Sequence, residues 1–263
     1  MKYLSVFVIA PLAAGLTLAG CAGQPSSHDG EKLQTIDHYV TVRSSIPLIA
    51  GQNTRIYVRE RAKASTIAPG TSAANRVVLF IHGATTPAEV AFDVPYGDYS
   101  WMAYLARAGF DVFSMDHTGY GRSTRPAVMD DPCNLSPKQQ AALGPTAANC
   151  KAAPPRHLTP ITAEWEEIDA VVEYLKALRK VERVSLVAWS RGGPRAGGYA
   201  ARHPGKVDRM GLLAPAYTRT MSATAPAKLP DDAALMNTGS HKEFIANWDR
   251  QVGCTNQYEP RTL

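Results

Sequence analysis

The residue best placed to do chemistry in this chain is Ser190. It ends the run Arg183-Val184-Ser185-Leu186-Val187-Ala188-Trp189 and precedes Arg191-Gly192-Gly193. An apolar run that stops at a serine, with the small residues Ala188 and Gly192 two places to either side, reads as a buried strand turning sharply into a helix. A serine at that apex stands clear of the sheet and offers its hydroxyl as a nucleophile. The usual elbow reads Gly-x-Ser-x-Gly; here Ala188 takes the first small position.

Such a serine needs a rigid platform, and the sequence provides the elements for one. Residues 76–81 (RVVLFI) form a second continuous apolar run, followed by His82-Gly83-Ala84-Thr85-Thr86. A third, residues 110–115 (FDVFSM), leads into Asp116-His117-Thr118-Gly119-Tyr120-Gly121-Arg122-Ser123. With the elbow strand and residues 207–213, these are runs of the kind buried on both faces, and helical segments separate them. That alternation predicts a parallel sheet covered by helices. The helix before the elbow carries Ile168, Val171, Val172, Leu175 and Leu178 on one stripe. Its Glu164, Glu166 and Glu167 fall in the first turns and Lys176, Arg179 and Lys180 in the last, complementing the helix dipole. The helix after the elbow is built of small residues, Ala196, Gly197, Gly198, Ala200 and Ala201, which let it lie close to the sheet.

In this order the His-Gly strand, the Asp-x-x-Gly-x-Gly-x-Ser strand, the helix and the serine elbow resemble the α/β-hydrolase family, over about residues 36–217. The resemblance implies an α/β fold with a mostly parallel central sheet and helices on both faces. It implies a serine hydrolase of an ester, an amide or a related acyl bond in a small-molecule substrate. Ser190 would attack the carbonyl, and the backbone N–H groups of Ala84 and Arg191 would hold the oxyanion, with His82, Gly83, Ala188 and Gly192 shaping the turns. Dehalogenases and epoxide hydrolases of the family carry a carboxylate at the elbow, so Ser190 argues against both. The alternative is a non-catalytic lipoprotein, or an inactive hydrolase fragment, that only binds a ligand or partner.

The family's remaining catalytic groups follow the serine as an acid and then a histidine. After Leu213-Ala214-Pro215 no comparable apolar strand appears, and residues 218–263 read as the start of a helical lid with short patches such as 241–248. The last strands, the acid and the histidine are therefore expected to be missing, with Ser190 keeping its proton. The other histidines have plainer readings: His82 a structural hydrogen bond in its turn, His117 a solvated loop position with a place at the rim of the site as the alternative, His203 the close of the elbow helix before Pro204, and His241 a lid position with the role of base as the alternative. Asp116, at a strand end before two glycines, is expected to accept backbone N–H groups rather than to act as the acid. Tyr96, Tyr99 and Trp101 are read as core residues, with an acyl pocket as the alternative.

The N-terminus has a character of its own. Lys2 precedes the uncharged residues 4–18, too short a stretch for a comfortable membrane span, and Leu18-Ala19-Gly20-Cys21 follows. This resembles a bacterial lipoprotein box; the alternative is an ordinary secretory peptide with an incidental cysteine. The resemblance implies cleavage before Cys21, acylation of that residue and a membrane-anchored protein of the outer membrane or cell envelope, facing periplasm or exterior. Residues 1–20 are then signal, 21–35 a flexible tether, 36–217 the core and 218–263 the beginning of the lid. Export would permit a disulfide between Cys133 and Cys150, and closing that loop of about 17 residues would contribute roughly 3 kcal/mol. Cys254 is left over, either lacking a partner or buried as a free thiol.

Composition sets the outer limits. With 263 residues, 45% hydrophobic and 19% charged, the chain is an ordinary globular protein long enough for a full core. The net charge of +5 comes from scattered residues, which gives no basic face for nucleic acid. No Cys, His, Asp or Glu spacing matches a metal site, and no cofactor is expected.

Overall fold

In the computed structural model the described residues are 30–147, 149–150, 158–216, 235–236 and 238–253. Two long strands come first, β1 (Leu33–Arg43) and β2 (Asn53–Lys63), paired antiparallel from Leu33↔Lys63 to Arg43↔Asn53. Their sequences alternate: Val40 and Val42 of β1, with Thr54, Ile56, Val58, Glu60 and Ala62 of β2, are buried on one side. That period of two is what a strand half-covered by helices produces. β1 opens at Leu33, inside the stretch read as tether.

A short helix, α1 (Ala64–Ile67), then leads to β3 (Val77–Ile81), whose five residues are all buried. The helices α2 (Ala88–Phe92) and α3 (Trp101–Arg107) follow, and then β4 (Asp111–Met115), also buried throughout. Beyond α4 (Pro137–Ala142) come α5 (Ile161–Arg179), β5 (Val184–Trp189), α6 (Gly192–Arg202) and β6 (Val207–Leu213). The sheet order is β1-β2-β4-β3-β5-β6; β4, β3, β5 and β6 run parallel, and β2 is antiparallel to both β1 and β4. The fold is thus a mixed, mostly parallel sheet with helices on both faces. The hairpin β1–β2 is the part that a search for continuous apolar runs passes over.

On one face α5 and α6 cover Val77, Leu79, Ile81, Phe113, Val184, Leu186 and Ala188. The stripe of α5 does the covering: Ile168, Val171, Val172 and Leu175 are wholly buried, each contributing about 1.5–3 kcal/mol by removal from water. On the other face α2 and α3 bring Phe92, Met102 and Ala106 onto Val78, Phe80 and Val112. β6 lies at the sheet's far end, with Met210, Leu212 and Leu213 exposed. Cys133 and Cys150 are joined by a disulfide. Most of the expected lid falls outside the described residues; within it α7 (His241–Asp249) is capped by Ser240 and Glu243, and Leu235 packs beside Ile46, Ile49, Leu158 and Ala163.

The register fixes where chemistry can happen. Ile81 is paired with Met115 on one side and with Ala188 on the other. The chain therefore leaves β3, β4 and β5 along one edge, placing His82-Gly83, Asp116 and Ser190 together.

The opposite edge is held by charge. Arg179, at the end of α5, donates to Glu60 at 2.6 Å and to Asp111 at 2.5 Å, while His38 meets Glu60 at 2.7 Å. Glu60 and Asp111 are both buried. Burial and then the Glu60 carboxylate push Asp111 up to about 7, against the pull of Arg179. Because the folded value lies above the unfolded one, the folded state keeps the proton between about pH 4 and pH 7 and loses stability as pH rises through that window. Urea unfolding of the wild type and Asp111→Asn across pH 4–8 should show the wild type losing ground to the variant as pH rises. A difference independent of pH would contradict this.

Candidate active site

Ser190 adopts φ +54°, the left-handed conformation that L-residues avoid. Its cost, about 1–2 kcal/mol, is offset by backbone hydrogen bonds on both sides of the turn. Ser190 N–H donates to Leu213 O at 3.0 Å, and Ser190 O accepts from Gly193 N–H at 2.9 Å and Ala216 N–H at 2.8 Å. Each bond contributes about 1 kcal/mol net, so the turn is held by its connection to the end of β6 as well as by α6.

The small residues around the serine are required by contact. A Cβ on Gly192 would stand 2.3 Å from the carbonyl oxygen of Ile81, and one on Gly83 would stand 3.0 Å from Ser190 Cβ and 3.2 Å from Trp189 O. Ala188, wholly buried, lies between Ile81 and Leu212 in the sheet. The His-Gly loop therefore rests directly on the serine turn.

Two backbone donors accompany the serine. Arg191 is the N-cap of α6, where N–H groups have no intrahelical acceptor and the dipole favours negative charge. Ala84 lies in the loop after Gly83. Among the described residues neither the Ala84 N–H nor the Arg191 N–H meets a backbone acceptor, whereas the next loop N–H, that of Thr85, donates to Tyr120 Oη at 3.4 Å.

The floor beneath is a buried polar layer. His82 is fully buried: its Nδ1 contacts Gly83 O at 2.7 Å and its Nε2 accepts from His117 N–H at 3.2 Å. These bonds fix the neutral tautomer with hydrogen on Nδ1, and burial, helped by His117 and Arg195, holds the ring's pKa well below its usual value. Both nitrogens are occupied, so His82 is structural and not a base. His117 departs from the solvated position expected of it: the first turns of α5 roof the loop and leave it with no exposure. Its Nδ1 meets Glu167 Oε2 at 2.8 Å, and burial lowers the ring to about 3 while raising Glu167 to about 7. Asp116 accepts from Ala88 N–H at 2.8 Å and Arg122 N–H at 3.0 Å, the role its turn position suggests.

Glu164 and Glu167, in the first turns of α5, do more than complement the helix dipole. Both are buried, and Glu164 pairs with the equally buried Arg195 at 2.7 Å. Arg195 was not singled out from sequence; the available signal was an arginine on the inward stripe of α6, beside Ala196 and Tyr199. Tyr96, Tyr99 and Trp101 are exposed rather than core. Trp101 does line a cavity of about 400 Å³ with Phe80, Tyr104, Leu105 and Val187. Of the downstream histidines, His203 caps α6 and His241 opens α7. Neither hydrogen-bonds the Ser190 side chain among the described residues. Cys21 and Cys254 lie outside the described residues.

The contact at Gly192 gives a direct test. Gly192→Ala must push α6 away from β3 and should lower stability by about 1–3 kcal/mol, as overpacking does. Gly197→Ala, where a Cβ meets open space, should not. Thermal unfolding of the two variants measures the difference, and equal midpoints would contradict the packing account.

Comparison with known proteins bears on this geometry. The chain resembles in structure a probable hydrolytic enzyme from Pseudomonas aeruginosa, at 18% identity and TM-score 0.52, covering 89% of this chain and 59% of that one. It also matches a predicted CIB-like hydrolase from Thermoplasma acidophilum (19% identity, TM-score 0.43, 72% and 67% covered). A third match is a putative lipase from Sulfolobus solfataricus (21% identity, TM-score 0.43, 72% and 53% covered). The chain thus spans only about three fifths of the Pseudomonas structure. At 18% identity the likeness to the Pseudomonas structure speaks for the fold alone. No curated protein sequence matches. The family described as alpha/beta hydrolase fold matches residues 76–250, two thirds of the chain and every element around Ser190, and the chain belongs to that family.

Proposed function

We propose that the chain is a serine hydrolase of an ester, amide or related acyl bond, with Ser190 as nucleophile. The observation that carries the reading is the left-handed Ser190 at the strand–helix apex, together with the backbone N–H groups of Ala84 and Arg191, which meet no backbone acceptor among the described residues. Ser190 Oγ attacks the acyl carbon as its proton passes to a base, and the C=O π electrons move onto oxygen, later returning to expel the alcohol or amine, which takes up that proton. That oxyanion takes hydrogen bonds from Ala84 N–H and Arg191 N–H, reinforced by the positive end of α6. His82 and His117 are excluded as base by their burial and partners. The family's order places the base after Ser190 in the chain.

A second reading, a non-catalytic protein using the hydrolase shell for binding, is favoured by one observation: no described histidine bonds Ser190. Treatment of the chain with a fluorophosphonate separates the two. The hydrolase reading expects a phosphonyl adduct on Ser190 that Ser190→Ala abolishes. An unlabelled wild type, or labelling that survives the substitution, would overturn it.

We also propose that Cys21 is acylated and tethers the protein to a membrane of the cell envelope. The uncharged residues 4–18 ahead of Leu18-Ala19-Gly20-Cys21 support this, as does the Cys133–Cys150 disulfide, which suits an oxidising compartment. Among the described residues no helix is long and apolar enough to cross a membrane. Mass spectrometry of the mature protein should find an acylated Cys21 at the N-terminus. A free N-terminus at another residue would contradict the proposal.

A further inference from the structure

We propose that Arg195 is a positioning residue that locks and polarises the peptide unit joining Gly83 to Ala84, strengthening the N–H that faces the reacting oxygen. The inference rests on the reading of Ser190 given above. Arg195 lies one turn beyond the elbow on α6 and is almost wholly buried. Its Nη1 donates to His82 O at 2.8 Å and to Gly83 O at 3.1 Å, and its Nη2 donates to Glu164 Oε1 at 2.7 Å. Burial opposes ionisation of Glu164, but the bond and charge of Arg195 win and hold it below the usual carboxylate range. The guanidinium therefore sits on the loop as one half of an internal ion pair.

What makes this more than packing is which carbonyl it reaches. Gly83 C=O and Ala84 N–H are the two ends of one peptide group. The oxygen end receives a charged donor, Arg195, and a neutral one, His82 Nδ1–H. Drawing electron density to that oxygen leaves the amide hydrogen at the other end more positive, because linked hydrogen bonds polarise one another. Charge-assisted donors are about twice as strong as neutral ones. The same bonds hold the plane of the peptide. Gly83 imposes little torsional resistance of its own, and a flip would aim its carbonyl at the nucleophile and forfeit both donors.

The sequence offers a direct probe, since Gly83-Ala84 is its one Gly-Ala pair. Labelling glycine with ¹³C at the carbonyl and alanine with ¹⁵N isolates a single amide signal in the full chain. Arg195→Met should move the Ala84 proton upfield, and Arg195→Lys, which keeps the charge but loses the fork, should fall between that variant and the wild type. A purely structural arginine would lower the unfolding midpoint and leave this signal in place. An unmoved signal in a folded Arg195→Met, or identical shifts for Met and Lys, would overturn the proposal. If Arg195→Met does not fold, an Arg195→Lys signal coincident with the wild type overturns it.

The rate of fluorophosphonate labelling provides the second arm. Removing an oxyanion donor outright costs about 100- to 1,000-fold, so losing its polarisation in Arg195→Met should slow labelling by roughly tenfold, with a smaller loss for Lys. Unchanged labelling in a folded Arg195→Met would count against the proposal. Should the wild type itself show no adduct on Ser190, the hydrolase reading fails, and the Ala84 signal still decides whether Arg195 polarises the loop.

Discussion

The structure around the site depends on one constraint, the close approach of the Ser190 turn to the end of β3. A serine held at φ +54° has to be clamped from both sides, and the clamp leaves no room for a Cβ at Gly192 or for an easy one at Gly83. Everything else in the site follows from that contact. The parallel register brings Ile81, Met115 and Ala188 level, so three loops emerge at one edge. The loop after β3 then lies against the serine, so close that a Cβ on Gly83 would stand 3.0 Å from Ser190 Cβ.

Beneath this surface the protein keeps a cluster of polar and charged groups out of water. Arg195, Glu164, His117 and Glu167 are all buried within one layer between β3, β4, α5 and α6. Buried ion pairs add little net stability, because desolvation roughly cancels attraction; removing one partner leaves a stranded charge and costs far more. Such a layer is better understood as fixing a geometry than as holding the fold together. Stability comes instead from the aliphatic stripe of α5 on one face and the Phe80–Phe92 contact on the other. The polar layer ties the loops after β3 and β4 to the helices that flank the serine.

The elements that carry chemistry were legible because they obey local rules. Continuous apolar runs marked β3, β4, β5 and β6 to within a residue, and the stripe Ile168, Val171, Val172, Leu175 marked the buried face of α5. The hairpin β1–β2 escaped because each of its strands has one wet face, and residues such as Arg55, Arg59 and Arg61 interrupt any apolar run. Period two, rather than hydrophobicity, was its signal. The buried charges were harder still. A glutamate in a first helical turn satisfies the dipole whether it faces water or an arginine from another helix, so Glu164 and Glu167 look ordinary until the fold brings Arg195 and His117 to them. His117 illustrates the same limit: a histidine in a glycine-rich loop reads as solvated, and only the packing of α5 over that loop removes it from water.

The central claim is that Ala84 and Arg191 form one oxyanion site opposite Ser190. A crystal structure of the chain carrying a phosphonate bonded to Ser190 Oγ tests it most directly. The account predicts the phosphoryl oxygen at about 2.7–3.1 Å from both backbone nitrogens. A phosphoryl oxygen turned to solvent, or bonded to side chains in place of these two N–H groups, would contradict it.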